Sequence, residues 1–133
     1  MEVRAFTDKS EKLFRAVWDP SKKPKFWRSN GKVSNAAFEI RKHLNEKGVS
    51  VDRALGRSDN EAIDFALSHL SGWVVSLTVE DCDNNSVVIM HTPSKGNIFH
   101  SEMCYPDSDS EIEIKRKQLI LADLAKLEKY SIK

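Results

Sequence analysis

Several short segments of the chain alternate between apolar and polar residues, a two-residue period that predicts β-strands. The clearest alternation covers residues 73–80, and we expect one buried face there, made of Trp73, Val75, Leu77 and Val79. The acidic residues 81–85 have the composition of a turn, so residues 73–80 and 86–91 are predicted to form a hairpin. Residues 48–53 and 97–105 predict two further strands.

Two segments have the spacing of amphipathic helices behind a capping box, in which Ser and a Glu three positions later satisfy free backbone N–H groups. Ser58 and Glu61 begin the first helix, whose apolar stripe continues to residue 70. Ser110 and Glu113 begin the second helix, near the C-terminus. Its predicted core stripe consists of Ile120, Leu124 and Leu127.

Two segments in the N-terminal part of the chain are ambiguous. Residues 12–18 are bulky, apolar and followed by a proline, which favours a strand, whereas the capping-box spacing of Asp8 and Glu11 also suits a short helix. Residues 33–47 favour a helix, although Phe38 and Ile40 also suit a short strand. The helically spaced apolar residues are Ala36, Ala37, Ile40 and Leu44.

These elements indicate the α+β class, a mixed α/β fold with one sheet of about four or five strands and helices packed on it. The chain has 133 residues, of which 40% are hydrophobic and 31% charged, so we expect a single domain over residues 1–133. No apolar run is long enough to span a bilayer and residues 1–10 lack a secretory pattern, which predicts a cytoplasmic protein without membrane contact. Cys82 and Cys104 show no disulfide or zinc pattern.

Charge is strongly segregated along the chain, although the net charge is only +1. Residues 1–57 contain 14 Lys and Arg against 7 Asp and Glu, residues 58–114 contain 1 against 11, and residues 115–133 contain 6 against 2. A basic block of this kind can form a face that attracts phosphate groups. The blocks are equally suited to pairing within the fold or across a homodimer, and both explanations remain open at this point.

General acid or base chemistry is predicted at His100, because histidine titrates near neutral pH. In a strand over residues 97–105, His100 and Glu102 lie on the same face, so the carboxylate is expected to orient the imidazole ring. The alternative is a structural histidine, which is the more common role of a histidine on a strand face.

Arginines in the basic block are candidates for phosphate binding, since a guanidinium donates two parallel hydrogen bonds to phosphate oxygens. Four are considered: Arg15, Arg41, Arg53 and Arg57. Arg15 and Arg53 are predicted to act on the reacting phosphate and Arg41 to bind substrate. The alternative for Arg53 is an ion pair with Asp52 or Glu61, with the other arginines solvated.

Residues 19–32 combine aromatic and basic side chains in a predicted loop, the mixture that single-stranded nucleic acid requires. Trp18, Trp27 and Arg28 are therefore predicted to bind substrate. Ser50, which alternates with two valines in its strand, completes the predicted binding set. The alternative is that Trp18 packs into the core and the lysines of the loop are simply solvated.

The leading functional hypothesis is a metal-independent phosphodiesterase that acts on RNA or a cyclic oligonucleotide and needs no cofactor. The chain is comparable in size to the small metal-independent ring nucleases of bacterial antiphage defence. This is an analogy only and does not assign a role to any residue. The predicted catalytic residues are His100, Glu102, Arg15 and Arg53. The alternative is a non-catalytic nucleic-acid-binding or protein-interaction adaptor. An enzyme would place His100 and at least one arginine around a shared concave site, whereas an adaptor need not.

Overall fold

A single antiparallel sheet organises the part of the chain that the computed structural model describes, residues 6–41, 46–69 and 72–130. In these ranges the strands are β1 (Lys12–Trp18), β2 (Val49–Arg53), β3 (Gly72–Thr78), β4 (Val88–His91), β5 (His100–Cys104) and β6 (Lys126–Tyr130). Their order across the sheet is β4-β5-β2-β1-β3-β6, and every neighbouring pair is antiparallel. The sheet therefore has more strands than the four or five predicted.

The helices of the described ranges are α1 (Asp59–His69), α2 (Val79–Asn84) and α3 (Glu111–Leu124), with short 3-10 turns at Pro24–Phe26 and Asn35–Phe38. Both predicted capping boxes form: Ser110 and Glu113 exchange hydrogen bonds at the start of α3, and Ser58 and Glu61 do so before α1. The α+β class is confirmed. None of these helices is long and apolar enough to cross a membrane.

The helices cover the two faces of the sheet unequally. On one face, α2, α3 and the 3-10 turn Asn35–Phe38 enclose the main core. On the other face, α1 packs on Phe14 of β1 and Val74 of β3. Cross-strand neighbours share a face, so the row Phe14, Asp52, His100 runs from beneath α1 onto β5. The half of the second face formed by β2 and β5 lies beside α1 and carries polar side chains.

The predicted hairpin between residues 73–80 and 86–91 is wrong. β3 lies between β1 and β6, and β4 pairs with β5. Both faces of β3 are buried, because α1 covers the side that carries Val74. The acidic residues that predicted a turn form α2, which begins with a capping box of Thr78 and Asp81. Carboxylates suit the first turn of a helix as well as a loop, so composition did not separate the two structures.

The buried face of α3 differs from the predicted stripe. Leu121 and Ala122 are fully buried, whereas Leu124 and Leu127 are 38% and 47% exposed. Leu127 is not helical, since α3 ends at Leu124 and Ala125 has an extended conformation that leads into β6. No strand was predicted at β6, because three of its five residues are charged and its apolar residues do not alternate regularly.

The helix predicted over residues 33–47 does not form in its described part. Asn35–Phe38 is a single 3-10 turn capped by the side chain of Ser34. The Tyr105 hydroxyl donates to the Phe38 carbonyl over 2.7 Å and holds this turn against the sheet. Residues 42–45 lie outside the described residues, and so do residues 70–71. Leu44 and Leu70, which were predicted to belong to apolar helix stripes, lie in these two gaps.

Ion pairs within the fold join part of the segregated charge. Lys9 binds Asp83, and Lys12 binds Asp59 at 2.7 Å, so two residues of the basic first block contact the acidic middle block. Such exposed pairs contribute about 0–1 kcal/mol each to stability. Pairing within the chain thus accounts for some of the segregation.

Leu121→Ala is expected to lower the free energy of unfolding by about 2–5 kcal/mol, because it removes a fully buried side chain from the main core. Leu119→Ala is the matched control on the exposed side of α3 and should change stability by less than about 0.5 kcal/mol. Chemical denaturation followed by circular dichroism measures both values. Equal losses in the two variants would contradict the packing described for α3.

Candidate functional site

Pairing of β2 with β5 brings His100 and Ser50 together on the half of the sheet beside α1. The two strands are in register at Ser50 opposite Glu102 and at Asp52 opposite His100. The Nε2 atom of His100 lies 3.3 Å from the Ser50 hydroxyl oxygen. Its Nδ1 atom lies 3.0 Å from both the carbonyl and the hydroxyl oxygen of Thr92.

These contacts determine how the imidazole ring of His100 is oriented. A carbonyl oxygen only accepts hydrogen bonds, so the contact with the Thr92 carbonyl assigns the proton of the neutral ring to Nδ1. Nε2 then presents its lone pair to the hydroxyl of Ser50, which donates. The ring is therefore held in the tautomer that a general base requires, with its unprotonated nitrogen beside the Ser50 hydroxyl.

Arg15 fills a gap between β1 and β2. These strands are paired at Leu13 with Arg53 and at Phe14 with Asp52, and the register extends no further. Beyond that point the Arg15 guanidinium donates from Nε to the Ala37 carbonyl at 2.6 Å and from Nη1 to the Ser50 carbonyl at 2.7 Å. Nη2 has no hydrogen-bond partner among the described residues.

Burial lowers the pKa of Arg15 to about 10, and the nearby positive charge of Arg41 adds to this shift, while Glu46 and Tyr105 oppose it. The group therefore still carries its charge at neutral pH. The side chain also keeps some exposed surface, so it is poorly solvated yet can be reached by a ligand. An arginine in this state has little hydration to lose when it binds an anion.

Arg15, Ser50 and His100 line one shallow pocket of about 260 Å³, next to α1. Asp52 and Asn97 complete its polar wall, where the Asn97 amide donates to the Asp52 carboxylate at 2.8 Å. Three predicted site residues from three different strands thus surround one concave surface. The main-chain carbonyl of Ser50 contacts Arg15 while its side chain contacts His100, so Ser50 links the other two.

Glu102 shares the strand face of His100, as predicted, but no hydrogen bond joins the two among the described residues. Its carboxylate lies over Gly48, where a Cβ would come within 3.0 Å of Oε2. Thr92, before β5, takes the orienting role that the sequence analysis assigned to Glu102. Glu102 was predicted as the partner of His100 because it lies two residues further along the same strand. No sequence pattern indicated Thr92, which lies eight residues before His100.

Trp18 and Arg41 line a second pocket of about 270 Å³, which shares Arg15 with the first. The guanidinium of Arg41 is already bidentate to the Glu46 carboxylate, at 3.0 and 2.6 Å, and this raises its pKa. Arg41 is therefore positioned near the site with its charge largely neutralised by its partner.

Arg53 does not reach this site. It alternates with Ser50 and Asp52 along β2, so it lies on the main-core side and is only 3% exposed. Its guanidinium is bidentate to Glu11, at 2.8 and 2.7 Å, and stacks 3.9 Å from the centroid of the Phe6 ring. An ion pair was the alternative for Arg53, and the structure shows one with Glu11 instead of Asp52 or Glu61.

Trp27 and Arg28 also lie outside the two pockets and have structural partners. The indole N–H of Trp27 donates to the Trp18 carbonyl at 2.7 Å, and its ring packs edge-on against Trp73. Arg28 donates to the Val33 carbonyl and binds Asp123 at 2.8 Å near the end of α3. Both residues anchor the loop to the main core.

The described residues contain no group of three His, Cys, Asp or Glu side chains that could hold a metal ion. Comparison with protein-family models, with curated proteins and with solved structures gives no match. The function must therefore be argued from the geometry of the two pockets.

Removal of the carboxylate in Glu11→Ala is expected to cost at least about 1.5–3 kcal/mol of stability, because it removes two charge-assisted hydrogen bonds to the buried Arg53 guanidinium. Asp83→Ala is the control at an exposed pair and should cost less than about 1 kcal/mol. Denaturant unfolding compares the variants. A small loss in Glu11→Ala would return Arg53 to the list of candidate binding residues.

Proposed function

We propose that the pocket of His100, Ser50 and Arg15 is the active site of a metal-independent phosphodiesterase that cleaves RNA or a cyclic oligonucleotide. One observation supports this most directly: an oriented histidine and Arg15 line the same pocket, and both contact Ser50, His100 through the hydroxyl and the Arg15 guanidinium through the main-chain carbonyl. This is the arrangement expected of an enzyme rather than of an adaptor.

The proton transfer uses Nε2 of His100 as the general base. It accepts the proton of the substrate 2′-hydroxyl while the 2′-oxygen forms a bond to the adjacent phosphorus. The bond from phosphorus to the 5′-oxygen of the next nucleotide breaks, and that oxygen takes a proton from water. The hydroxide that remains takes the proton from Nε2 of His100, which restores the base. The products are a 2′,3′-cyclic phosphate and a 5′-hydroxyl. The Thr92 contact at Nδ1 stabilises the imidazolium ion formed in this step.

The negative charge that builds on the phosphoryl oxygens is met by Arg15. Its Nε and Nη1 atoms are tied to main-chain carbonyls, so the guanidinium is held in place before substrate binds. Nη2 then donates to the phosphate, and a preorganised donor of this kind stabilises a transition state without reorganisation. The Ser50 hydroxyl can turn from Nε2 to a second phosphoryl oxygen once the base is occupied.

RNA and cyclic oligonucleotides both present a ribose 2′-hydroxyl beside a phosphodiester, which is the unit that this mechanism requires. The steps draw on protein groups and water, so the proposed reaction proceeds without a cofactor. A substrate that lacks the 2′-hydroxyl would be bound without being cleaved.

His100→Asn should lower kcat by about 100-fold or more with little change in KM, because Asn has no group that can take the proton. The Asn amide can still donate to the Thr92 carbonyl, so the loop contact is preserved. Glu102→Gln, on the same face of β5, is the matched control and should reduce kcat far less. Steady-state cleavage of labelled single-stranded RNA and cyclic oligonucleotides measures these effects.

Arg15→Lys should raise KM and lower kcat together, since lysine keeps the charge but loses the fork that fixes the donor. All assays include EDTA, and a rate abolished by chelation would contradict the metal-independent mechanism. Cleavage of 2′-deoxy substrates at the same rate would contradict the proposed nucleophile. Binding of RNA by the wild-type protein without cleavage would favour the adaptor instead.

A further inference from the structure

We propose that the second pocket, beside Trp18, is a binding subsite for an unpaired nucleobase next to the phosphate held by Arg15. The inference rests on the proposed function, because it takes the phosphate position from the first pocket. It adds a substrate class: a single strand or a cyclic oligonucleotide in which at least one base is unpaired and can unstack from its neighbours.

The two pockets are neighbours along β1, because Arg15 and Ala16 line both of them. The Arg15 guanidinium donates to the Ala37 carbonyl on the side of the second pocket and to the Ser50 carbonyl on the side of the first. A phosphate on this guanidinium therefore has the reacting groups on one side and the second pocket on the other.

The walls of the second pocket suit a base better than a further phosphate. Trp18, which is 37% exposed, and Phe26 supply aromatic surface, and Ala36 and Ala37 leave room beside them. Arg15, Arg41 and Glu39 also line it, and the charge of Arg41 is paired with Glu46. An aromatic wall favours stacking, which tolerates any base.

The main chain that carries Trp18 is held in position before substrate binds. Trp27 donates from its indole to the carbonyl of Trp18, and the Trp27 ring rests on Trp73. Two residues that line the second pocket, Phe26 and Ala37, also pack in the main core. A base can therefore stack there without first ordering a loop, which lowers the cost of binding.

The test compares a ribodinucleotide with the same molecule in which one base is replaced by an abasic site, placed on each side of the phosphate in turn. For the wild-type protein, loss of one of the two bases should raise KM by about 5- to 150-fold, the range expected for one stacked base. In Trp18→Ala, the complete ribodinucleotide and this abasic substrate should have the same KM. Trp18→Phe keeps a ring and should restore most of the difference.

Equal KM values for the complete and both abasic substrates with the wild-type protein, or an undiminished difference in Trp18→Ala, would overturn the subsite while leaving the cleavage reaction intact. Binding of 2′-O-methyl dinucleotides, measured by calorimetry, separates the two proposals. Base-dependent binding that is lost in Trp18→Ala, without any cleavage of the ribodinucleotide, would retain the subsite and overturn the proposed function. Base-independent binding would overturn the subsite whether or not cleavage occurs.

Discussion

The width of the sheet relative to helix α1 is the constraint on which the location of the site depends. An α-helix is about 10–12 Å across and neighbouring strands are about 4.8 Å apart, so one helix covers roughly two strands. α1 packs on β1 and β3, and β5 lies two strands away from β1 in the sheet order. Polar groups are costly to bury without partners. The strand positions beside the helix can therefore carry Ser50, Asp52 and His100 without enclosing them in the core.

Arg15 connects the architecture to the proposed chemistry. Where β1 and β2 stop pairing, the carbonyls of Ala37 and Ser50 accept hydrogen bonds from its guanidinium. Buried carbonyls need such partners, so the side chain stabilises the fold at the place where the strands separate. The same two bonds fix the group between the pockets and leave one nitrogen for a ligand. The structural role and the proposed functional role therefore coincide in Arg15.

Individual residues of the site could be predicted from the sequence, but their partners could not. His100 and Ser50 were both predicted, yet no local pattern indicated that residues 50 positions apart would touch through β2 and β5. Glu102 was assigned the orienting role because of its spacing, and Thr92 occupies it in the structure. The placement of Arg53 was open to prediction, since strand alternation puts it on the side of Val49 and Val51 and away from Ser50.

Local elements could be predicted from the linear pattern: the strands β2 and β5 from their alternation, the capping boxes of α1 and α3, and hence the α+β class. These features arise from contacts among residues a few positions apart, which such a pattern records. The strand order, the burial of both faces of β3, the pairing of the charged strand β6, and the meeting of Arg15, Ser50 and His100 came only from the folded structure. Those outcomes depend on contacts between distant segments, where burial against α1 or a neighbouring strand overrides local propensity.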